Sequence, residues 1–488
     1  MRLDDLLHGI ATPASGDIMV SGLTQDSHAV HAGDAFVALA GAKHHGIEFA
    51  EMAIAQGAVA ILSEPHDSGP GSRIPGSEIV WIKNLRAHLG AIAARFYGDP
   101  SASMTVIGVT GTSGKTSTVQ MLAQALAHLG KRAATIGTLG AGLHGALHAG
   151  ERTTPDVIRV HGLLAEFRDA GATDVAMEVS SHALDQHRVD GLHFDAAVFT
   201  NLTRDHLDYH GTMEAYGAAK AKLFAWPDLG AAVINVDDAF GRDLATRVPA
   251  GVRVIRCGLA SHDADVRAAD VHTHSDGIDF ELVTPWGAVA VQSRLLGRFN
   301  VANLVAVAGV LGALHVPFDR IADALRSLEP VAGRMNRLGG GDLPLVVVDY
   351  SHKPDPLEQV LATLRAHCEG RLICVFGCGG ERDAGKRPVM GAIAERLADV
   401  VIVTDDNPRG EDGDAIVAQI VAGMRAPGRA TVERDRARAI DEAIAQAQAG
   451  DVVLIAGKGH ETYQEVAGAK HPFDDLRVAR VALEARPC

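Results

Sequence analysis

Aromatic side chains are scarce in this 488-residue chain, at 4% of its composition, while 47% of its residues are hydrophobic. A core poor in rings must be built from small and branched aliphatic chains, which suits helices packed on sheets, and the apolar share excludes a disordered chain. Cysteine is also scarce. Cys257, Cys368, Cys374, Cys378 and Cys488 are odd in number and lack the paired spacing of a zinc ribbon, so they read as reduced thiols of a cytoplasmic protein, with Cys374 and Cys378 as strand and loop filler. Positive charge is outweighed: the net charge of −15 opposes nonspecific binding to a nucleic-acid backbone. No run of about 18 apolar residues occurs, so no membrane-spanning helix is expected. The opening residues MRLDDLLHGI carry acidic groups where a signal peptide carries basic ones, so export is not expected. Repeats and low-complexity segments are missing as well, and a monomer is the default expectation.

The chain is longer than one hydrophobic core sustains. An α/β protein of three domains is expected: a smaller N-terminal α/β domain over 1–100, a central domain over 101–336 and a C-terminal domain over 337–488. In the first, short strands at 35–39 and 58–62 accompany a helix at 85–97, and the turn-rich Gly98-Asp99-Pro100-Ser101 closes it. The second opens with a β-rich run at 104–110, a glycine loop, and a helix at 117–129 carrying Val119, Leu122, Leu126 and Leu129 at helical spacing. In the third, apolar strands at 345–349, 372–376, 400–404 and 452–456 alternate with helices at 355–367, 389–397, 414–424 and 437–449. That alternation implies right-handed crossovers and a Rossmann-like, doubly wound parallel sheet.

The strongest local signal is Thr110-Gly111-Thr112-Ser113-Gly114-Lys115-Thr116-Ser117, lying between a strand and a helix. Glycines there let backbone N–H groups face phosphates at a helix N-terminus, Lys115 would hold the β and γ phosphates, and the Thr116 hydroxyl would coordinate Mg²⁺. Val109 stands where the strict pattern has its first glycine. The blander reading, an ordinary glycine turn, is outweighed by the strand and helix that flank it, which imply a P-loop ATPase-like parallel sheet. Glu178 in MEVSSH and His206 in TNLTRDHLDYHG both follow apolar strands, at 174–177 and 196–199. Both should therefore reach the carboxyl edge of that sheet, where ligands bind in open α/β folds. Singly, each is more often a cap or a surface group; together with a phosphate loop they suit a Mg²⁺ set. Four polar loops in the third domain also follow strands: Asp349-Tyr350-Ser351-His352, Gly379 to Asp383, Asp405-Asp406-Asn407-Pro408-Arg409, and Gly457-Lys458-Gly459-His460-Glu461. In a parallel sheet all four land on one rim, where Arg382, Arg409 and Glu461 offer carboxylate clamps and an ammonium acceptor suited to a zwitterionic amino acid. Solvated loop charges are the alternative for any one of them.

The strings GTSGKTS, MEVSSHALDQHRV, TNLTRDHLDYHG with AAKAKLF, GRFNVAN, and DNPR followed by GKGHE together resemble the Mur ligase family, and DNPR resembles its diaminopimelate-adding branch. The match spans all three domains. It implies a cytoplasmic, ATP- and Mg²⁺-dependent amide ligase acting on UDP-N-acetylmuramoyl-L-alanyl-D-glutamate and meso-diaminopimelate. By the same resemblance, ATP meets Gly111, Thr112, Ser113, Gly114, Lys115, Thr116 and Ser117, with Asn300 and Asn303 by the adenine. The muramoyl dipeptide nucleotide meets Ser27, Ala42, Lys43, His44, Thr153, Thr154, Ser180, Gln186 and Arg188. Diaminopimelate meets Arg382, Asp406, Asn407, Pro408, Arg409, Gly457 and Glu461. Lys115, Glu178, His206 and Lys220 are the implied catalytic set, and Thr116, Glu178, His206 and Lys220 the implied metal ligands, Lys220 as its N6-carboxylated carbamate. Its position in a helix alone would make Lys220 a solvated lysine, as for its neighbour Lys222. The departures from the family pattern are Ser113 for Asn, His28 for Arg, and Ser351 and Lys353 in the Asp349 to Pro354 segment. Rival readings are a lysine-adding relative, a folate-extending ligase, and a P-loop switch without ligase activity. DNPR and the N-terminal segment disfavour the first two, and the amino-acid rim disfavours the third.

Overall fold

The computed structural model describes residues 1–41, 44–65, 78–150, 152–274 and 277–486. The chain divides into two compact units: 1–257 with 261–264 and 309–315, and 258–260 with 265–308 and 316–488. The architecture is α/β throughout, with parallel strands at the heart of three sheets placed in series along the chain.

In the first unit, Gly22–Thr24, Asp34–Ala38, Ala60–Ser63 and Glu78–Trp81 form a parallel sheet in chain order. Helix Leu85–Tyr97 covers the residues expected of it, buries Leu85, Leu89 and Ile92, and stops at Gly98 in the left-handed region, the usual way a helix ends. The next sheet has Thr105–Thr110 at its centre, with Asp174–Glu178 and Ala133–Gly137 on one side and Ala196–Phe199, Ala231–Asn235 and Arg253–Gly258 on the other. The first strand of this series is thus flanked on both sides by later ones. That is a topological switch point, and the crevice at its carboxyl end is where open α/β sheets bind ligands. Strand Thr105–Thr110 runs directly into the glycine loop there, and helix Lys115–His128 follows it, two residues earlier than its apolar spacing suggested. Polar first-turn residues carry no hydrophobic period, so periodicity alone starts the helix late.

The second unit holds an antiparallel meander, Val266–His274, Gly277–Thr284 and Gly287–Ser293, which the sequence patterns did not reveal. Its main sheet has the order Asn336–Gly339, Leu345–Asp349, Val452–Ala456, Leu372–Phe376, Val400–Val403, Thr431–Val432, parallel except for the first strand. Alternate residues of each strand enter different cores. Leu345, Val347, Cys374, Phe376 and Leu454 pack with Leu357, Leu361, Met390 and Ile420 on one face. On the other, Val346, Val348, Ile373, Val375, Val453 and Ile455 pack with Ile440, Ile444 and Ala479. Two covered faces explain why these strands read as unbroken apolar runs. Cys374 and Cys378 are buried, and burial pushes both thiols up to about 12, as inert filler requires. Cys257, Cys368, Cys374 and Cys378 are thiols outside any disulfide, while Cys488 lies outside the described residues. Among the described residues, no helix is long and apolar enough to cross a membrane.

Candidate functional site

The glycine loop is pinned by residues that follow strand Ala196–Phe199. Thr112 N donates to Asn201 O at 2.9 Å, Ser113 N to Asn201 Oδ1 at 2.9 Å, and Thr200 Oγ1 to Ser113 O at 2.6 Å. Gly111 and Gly114 take φ of +149° and +85°, conformations that suit glycine. A Cβ on Gly111 would lie 1.9 Å from Thr200 Oγ1. Gly111→Ala is therefore expected to lower kcat/KM for ATP by more than about 100-fold, because the loop must move off its latch; steady-state kinetics with ATP varied checks this. Lys115 Nζ folds back onto Gly111 O at 2.9 Å and Thr112 O at 3.0 Å, within the loop it would share with a phosphate. Thr116 and Ser117 occupy the buried first turn of the helix.

Glu178, at the end of its strand and 1% exposed, accepts from Thr116 Oγ1 at 2.9 Å, Thr138 N at 2.8 Å and Thr138 Oγ1 at 3.3 Å. A Cβ at Gly137 would meet Glu178 Oε1 at 2.5 Å, so a bare backbone there makes room for the carboxylate. Thr154 Oγ1 donates to Glu178 O at 2.9 Å and contacts Ser180 Oγ at 3.3 Å, and Ser180 in turn caps its short helix through Ala183 N. Thr153 reaches Thr138 at 3.1 Å. Gln186 Oε1 accepts from Arg188, whose Nη1 donates to Thr154 O at 2.9 Å. Thr153, Thr154, Ser180, Gln186 and Arg188 thus form one network with Glu178. Burial, and next the Arg152 charge, lowers the pKa of Arg188. Gln25, Gln186 and Arg188 line a small common cavity. Ser27, nearby in sequence, is buried, and His44 is exposed and pairs with Glu48 at 3.2 Å. Ala42 and Lys43 lie outside the described residues.

Lys220 overturns the reading of a solvated helix lysine. It is 1% exposed on helix Met213–Ala221, its Nζ donating to Gly111 O at 2.8 Å and sitting 4.4 Å from the Tyr216 ring centre. Burial pushes the amine down to about 6; the Lys115 ammonium acts in the same direction and the Asp205 carboxylate against it. Lys222, by contrast, is a half-exposed lysine paired with Asp185 at 3.0 Å. His206 takes φ of +53° and lies 3.6 Å from Asp205 Oδ2. Its ring stands edge-on to His182 at 4.9 Å and to Tyr216 at 6.0 Å. Three residues given no role in the sequence analysis belong here, and Tyr216 alone lies outside the quoted strings. Tyr216 links Thr112, through a 3.1 Å hydroxyl contact, to Lys220 and His206. His182 and His210 complete an imidazole cluster in which burial lowers the pKa of both; the charge of His206 adds to this at His182, while at His210 the Asp185 carboxylate opposes it. Helical spacing could have flagged Tyr216, four residues before Lys220 and so on the same face.

In the second unit, Asn300 and Asn303 are buried on helix Arg298–Ala313, Asn303 Nδ2 donating to Asn300 Oδ1 at 3.1 Å. The four strand-end loops meet around a cavity of about 550 Å³ whose lining includes Tyr350, Arg382, Asp406, Asn407, Arg409 and Glu461, with Gly457 also on its wall. Asn407 Nδ2 donates to Glu461 Oε2 at 2.9 Å. Arg409, at φ +54°, donates to Gly380 O at 2.7 Å and lies 3.4 Å from Glu465 Oε2. Arg382 is exposed. The Pro408 carbonyl packs against Gly380, where a Cβ would lie 1.9 Å away. Hairpin Tyr463–Val466 with Ala469–Pro472 supplies Glu465 and was not read from the sequence.

Comparison with known proteins identifies the family. Residues 19–97 match the family description "Mur ligase family, catalytic domain", 109–311 match "Mur ligase middle domain", and 333–459 match "Mur ligase, glutamate ligase domain". A protein of Xylella fastidiosa named UDP-N-acetylmuramoyl-L-alanyl-D-glutamate--2,6-diaminopimelate ligase is 59% identical, over 99% of this chain and 98% of that one. A Xanthomonas oryzae protein of the same name is also 59% identical, over 100% and 98%. A solved structure of a ligase of that name superposes with a TM-score of 0.76 at 38% identity, covering 99% of both chains. With full-length relatives this similar, the chain belongs to the Mur ligase family of ATP-dependent ligases.

Proposed function

We propose that this protein joins meso-2,6-diaminopimelate to the side-chain carboxylate of D-glutamate in UDP-N-acetylmuramoyl-L-alanyl-D-glutamate, using ATP, during peptidoglycan precursor synthesis. The observation that carries this reading is the convergence of Arg382, Asp406, Asn407, Arg409, Gly457 and Glu461 on one cavity, which presents both charge signs to a zwitterion. The full-length relatives bearing that ligase name support it. Residues 1–100 with Thr153, Thr154, Ser180, Gln186 and Arg188 would hold the nucleotide-linked dipeptide, 101–336 the ATP, and 337–488 the incoming amino acid.

A carboxylate is a poor electrophile. Its oxygen attacks the γ-phosphorus of ATP, ADP leaves, and the acyl phosphate carries a good leaving group. The diaminopimelate amine then adds to the acyl carbon, a proton is lost, and phosphate departs as the amide forms. Lys115 would follow the γ-phosphate and neutralise its charge, and Asn300 and Asn303 would border the adenine.

The residues fit a hard divalent cation. The Thr116 hydroxyl and the buried Glu178 carboxylate already adjoin at 2.9 Å, and oxygen ligands suit Mg²⁺. Among the described residues, no three His, Cys, Asp or Glu side chains gather closely enough to hold a metal. The set that the family resemblance implies is Thr116, Glu178, His206 and a carboxylated Lys220. When bound, Mg²⁺ would supply positive charge that offsets the charge developing on the phosphates. Carboxylation needs an unprotonated amine to add to CO₂ carbon with loss of an N–H proton. An amine held down to about 6 meets that requirement near neutral pH.

The test is ATP-dependent phosphate release with the UDP-linked dipeptide and either meso-diaminopimelate or L-lysine. Release with diaminopimelate alone is expected. Release with lysine alone would move the protein to the lysine-adding branch, and no release with either would sink the ligase reading.

A further inference from the structure

Lys458 is fully buried on the loop after strand Val452–Ala456, and it is not among the residues lining the cavity described above. Its three polar side-chain partners all do line that cavity. Nζ donates to Asn407 Oδ1 at 2.9 Å and to Glu461 Oε2 at 3.2 Å, and it stands 3.7 Å from Asp406 Oδ1. The last distance is an ionic contact without a hydrogen bond, and Asp406 Oδ1 is buried with no hydrogen-bond partner. The Tyr463 ring centre lies 5.7 Å from the ammonium on another side.

A buried ammonium is costly to desolvate unless several acceptors surround it, so its placement beneath the rim calls for a reason beyond filling space. We propose that Lys458 is a positioning residue for the amino-acid substrate: its ammonium fixes the orientation of Asn407, Glu461 and Asp406 without touching the substrate. This inference deepens the reading of the rim as the diaminopimelate site and rests on it.

The geometry gives Lys458 two tasks. Asn407 Oδ1 accepts from both Lys458 Nζ and Glu465 N, each at 2.9 Å, and this leaves Nδ2 to donate to Glu461 Oε2. Without the ammonium, one of the three bonds that fix the amide is lost, and Oδ1 keeps only Glu465 N as donor, so the carboxamide is held less firmly. The second task is electrostatic. Asp406 and Glu461 are like charges drawn to one cation, and removing that cation leaves them to repel and to swing toward water. Either change displaces the acceptors that would meet an incoming ammonium, and displacements on the scale of an ångström are costly to binding.

The test uses the full-length enzyme with all three substrates. Lys458→Met, similar in length and uncharged, is expected to raise KM for meso-diaminopimelate by at least about 30-fold, with kcat at saturation within about threefold and the other two KM values within about twofold. A merely structural role predicts the opposite split: a smaller active fraction lowers kcat and leaves every KM unchanged, and that outcome overturns the inference. If Lys458→Met does not fold by circular dichroism, Lys458→Arg decides the matter. It keeps the charge and displaces the donors, so diaminopimelate KM must still rise selectively; an unchanged KM overturns the inference. Arg409→Met is measured in parallel. If Arg409→Met raises the diaminopimelate KM and the Lys458 variants do not, the inference fails alone. If neither raises it, the reading of the rim fails as well.

Discussion

Lys220→Met is expected to stop ligation and, in CO₂-depleted buffer, to raise Tm. The two effects have one origin. In the folded chain the Lys220 amine is held down to about 6, from an ordinary 10.5, mainly because burial strips water from its charged form. Between those two pH values the unfolded chain binds one more proton than the folded one, so stability rises with pH across that window. The penalty is present in full below about pH 6 and is relieved as pH climbs toward 10.5. Methionine carries no proton and fills similar space, so the variant escapes the penalty, most at low pH and progressively less above neutrality. Ligation should move the other way. If Lys220 is carboxylated as proposed, its loss removes an anionic oxygen ligand beside the glycine loop, and a kcat loss of at least about 10³-fold, near 4 kcal/mol, is expected. Wild-type activity should also decline as pH falls through about 6, where a protonated amine cannot take up CO₂, and added bicarbonate should recover part of it just above that pH. Thermal melts across pH 6 to 9, paired with phosphate-release rates, check both halves. A variant retaining a tenth of wild-type kcat would remove Lys220 from the catalytic set. Opposed changes in stability and activity are what a buried functional charge produces.

Much of the fold was legible because its signals are local. Leu85–Tyr97, Leu345–Asp349, Leu372–Phe376 and Val452–Ala456 coincide with the expected elements, since each is a continuous period or apolar run bounded by turn residues. Helix starts were less legible. Lys386–Leu397 begins three residues before the expected 389, because the charged Lys386 and Arg387 carry no apolar period, although Arg387 is fully buried against Glu411 and Gln419. The site divides in the same way. Gly111 to Ser117 and the four rim loops follow strands, so topology alone places them at sheet edges. Burial of Lys220 and Lys458 could not be read from their own positions, because it depends on what distant segments bring against them: Gly111, 109 residues away, for one, and Asn407, 51 residues away, for the other. Hairpin Tyr463–Val466 with Ala469–Pro472 escaped for another reason. Its strands are only four residues each, one half-buried and the other exposed, without the alternation that marks a buried strand.

That hairpin bears on the second large effect, Arg409→Met, which is expected to raise KM for meso-diaminopimelate by roughly 150-fold while leaving KM for ATP unchanged. Arg409 takes φ of +54°, unusual for a side chain with a Cβ, and two backbone bonds with the hairpin hold it there: Arg409 N to Glu465 O at 3.0 Å and Ala467 N to Arg409 O at 2.7 Å. Methionine can occupy the same backbone, so the loop should stay in place and the effect should isolate the guanidinium. Its Nε edge stands 3.4 Å from Glu465 and one Nη1 donor meets Gly380 O, which orients the planar group within the cavity wall while further N–H donors remain for a ligand carboxylate. Two parallel bonds to a carboxylate contribute on the order of 3 kcal/mol in a partly desolvated site, which is the source of the expected factor. Arg409→Lys should recover only part of it, because one ammonium cannot span two carboxylate oxygens in the fork geometry. The sharper readout is selectivity. L-lysine lacks the second carboxylate, so the ratio of kcat/KM for diaminopimelate to that for lysine should collapse in Arg409→Met by a factor similar to the rise in KM. A ratio left at the wild-type value would mean that the distinguishing carboxylate is bound elsewhere on the rim, with the exposed Arg382 as the next cation to substitute.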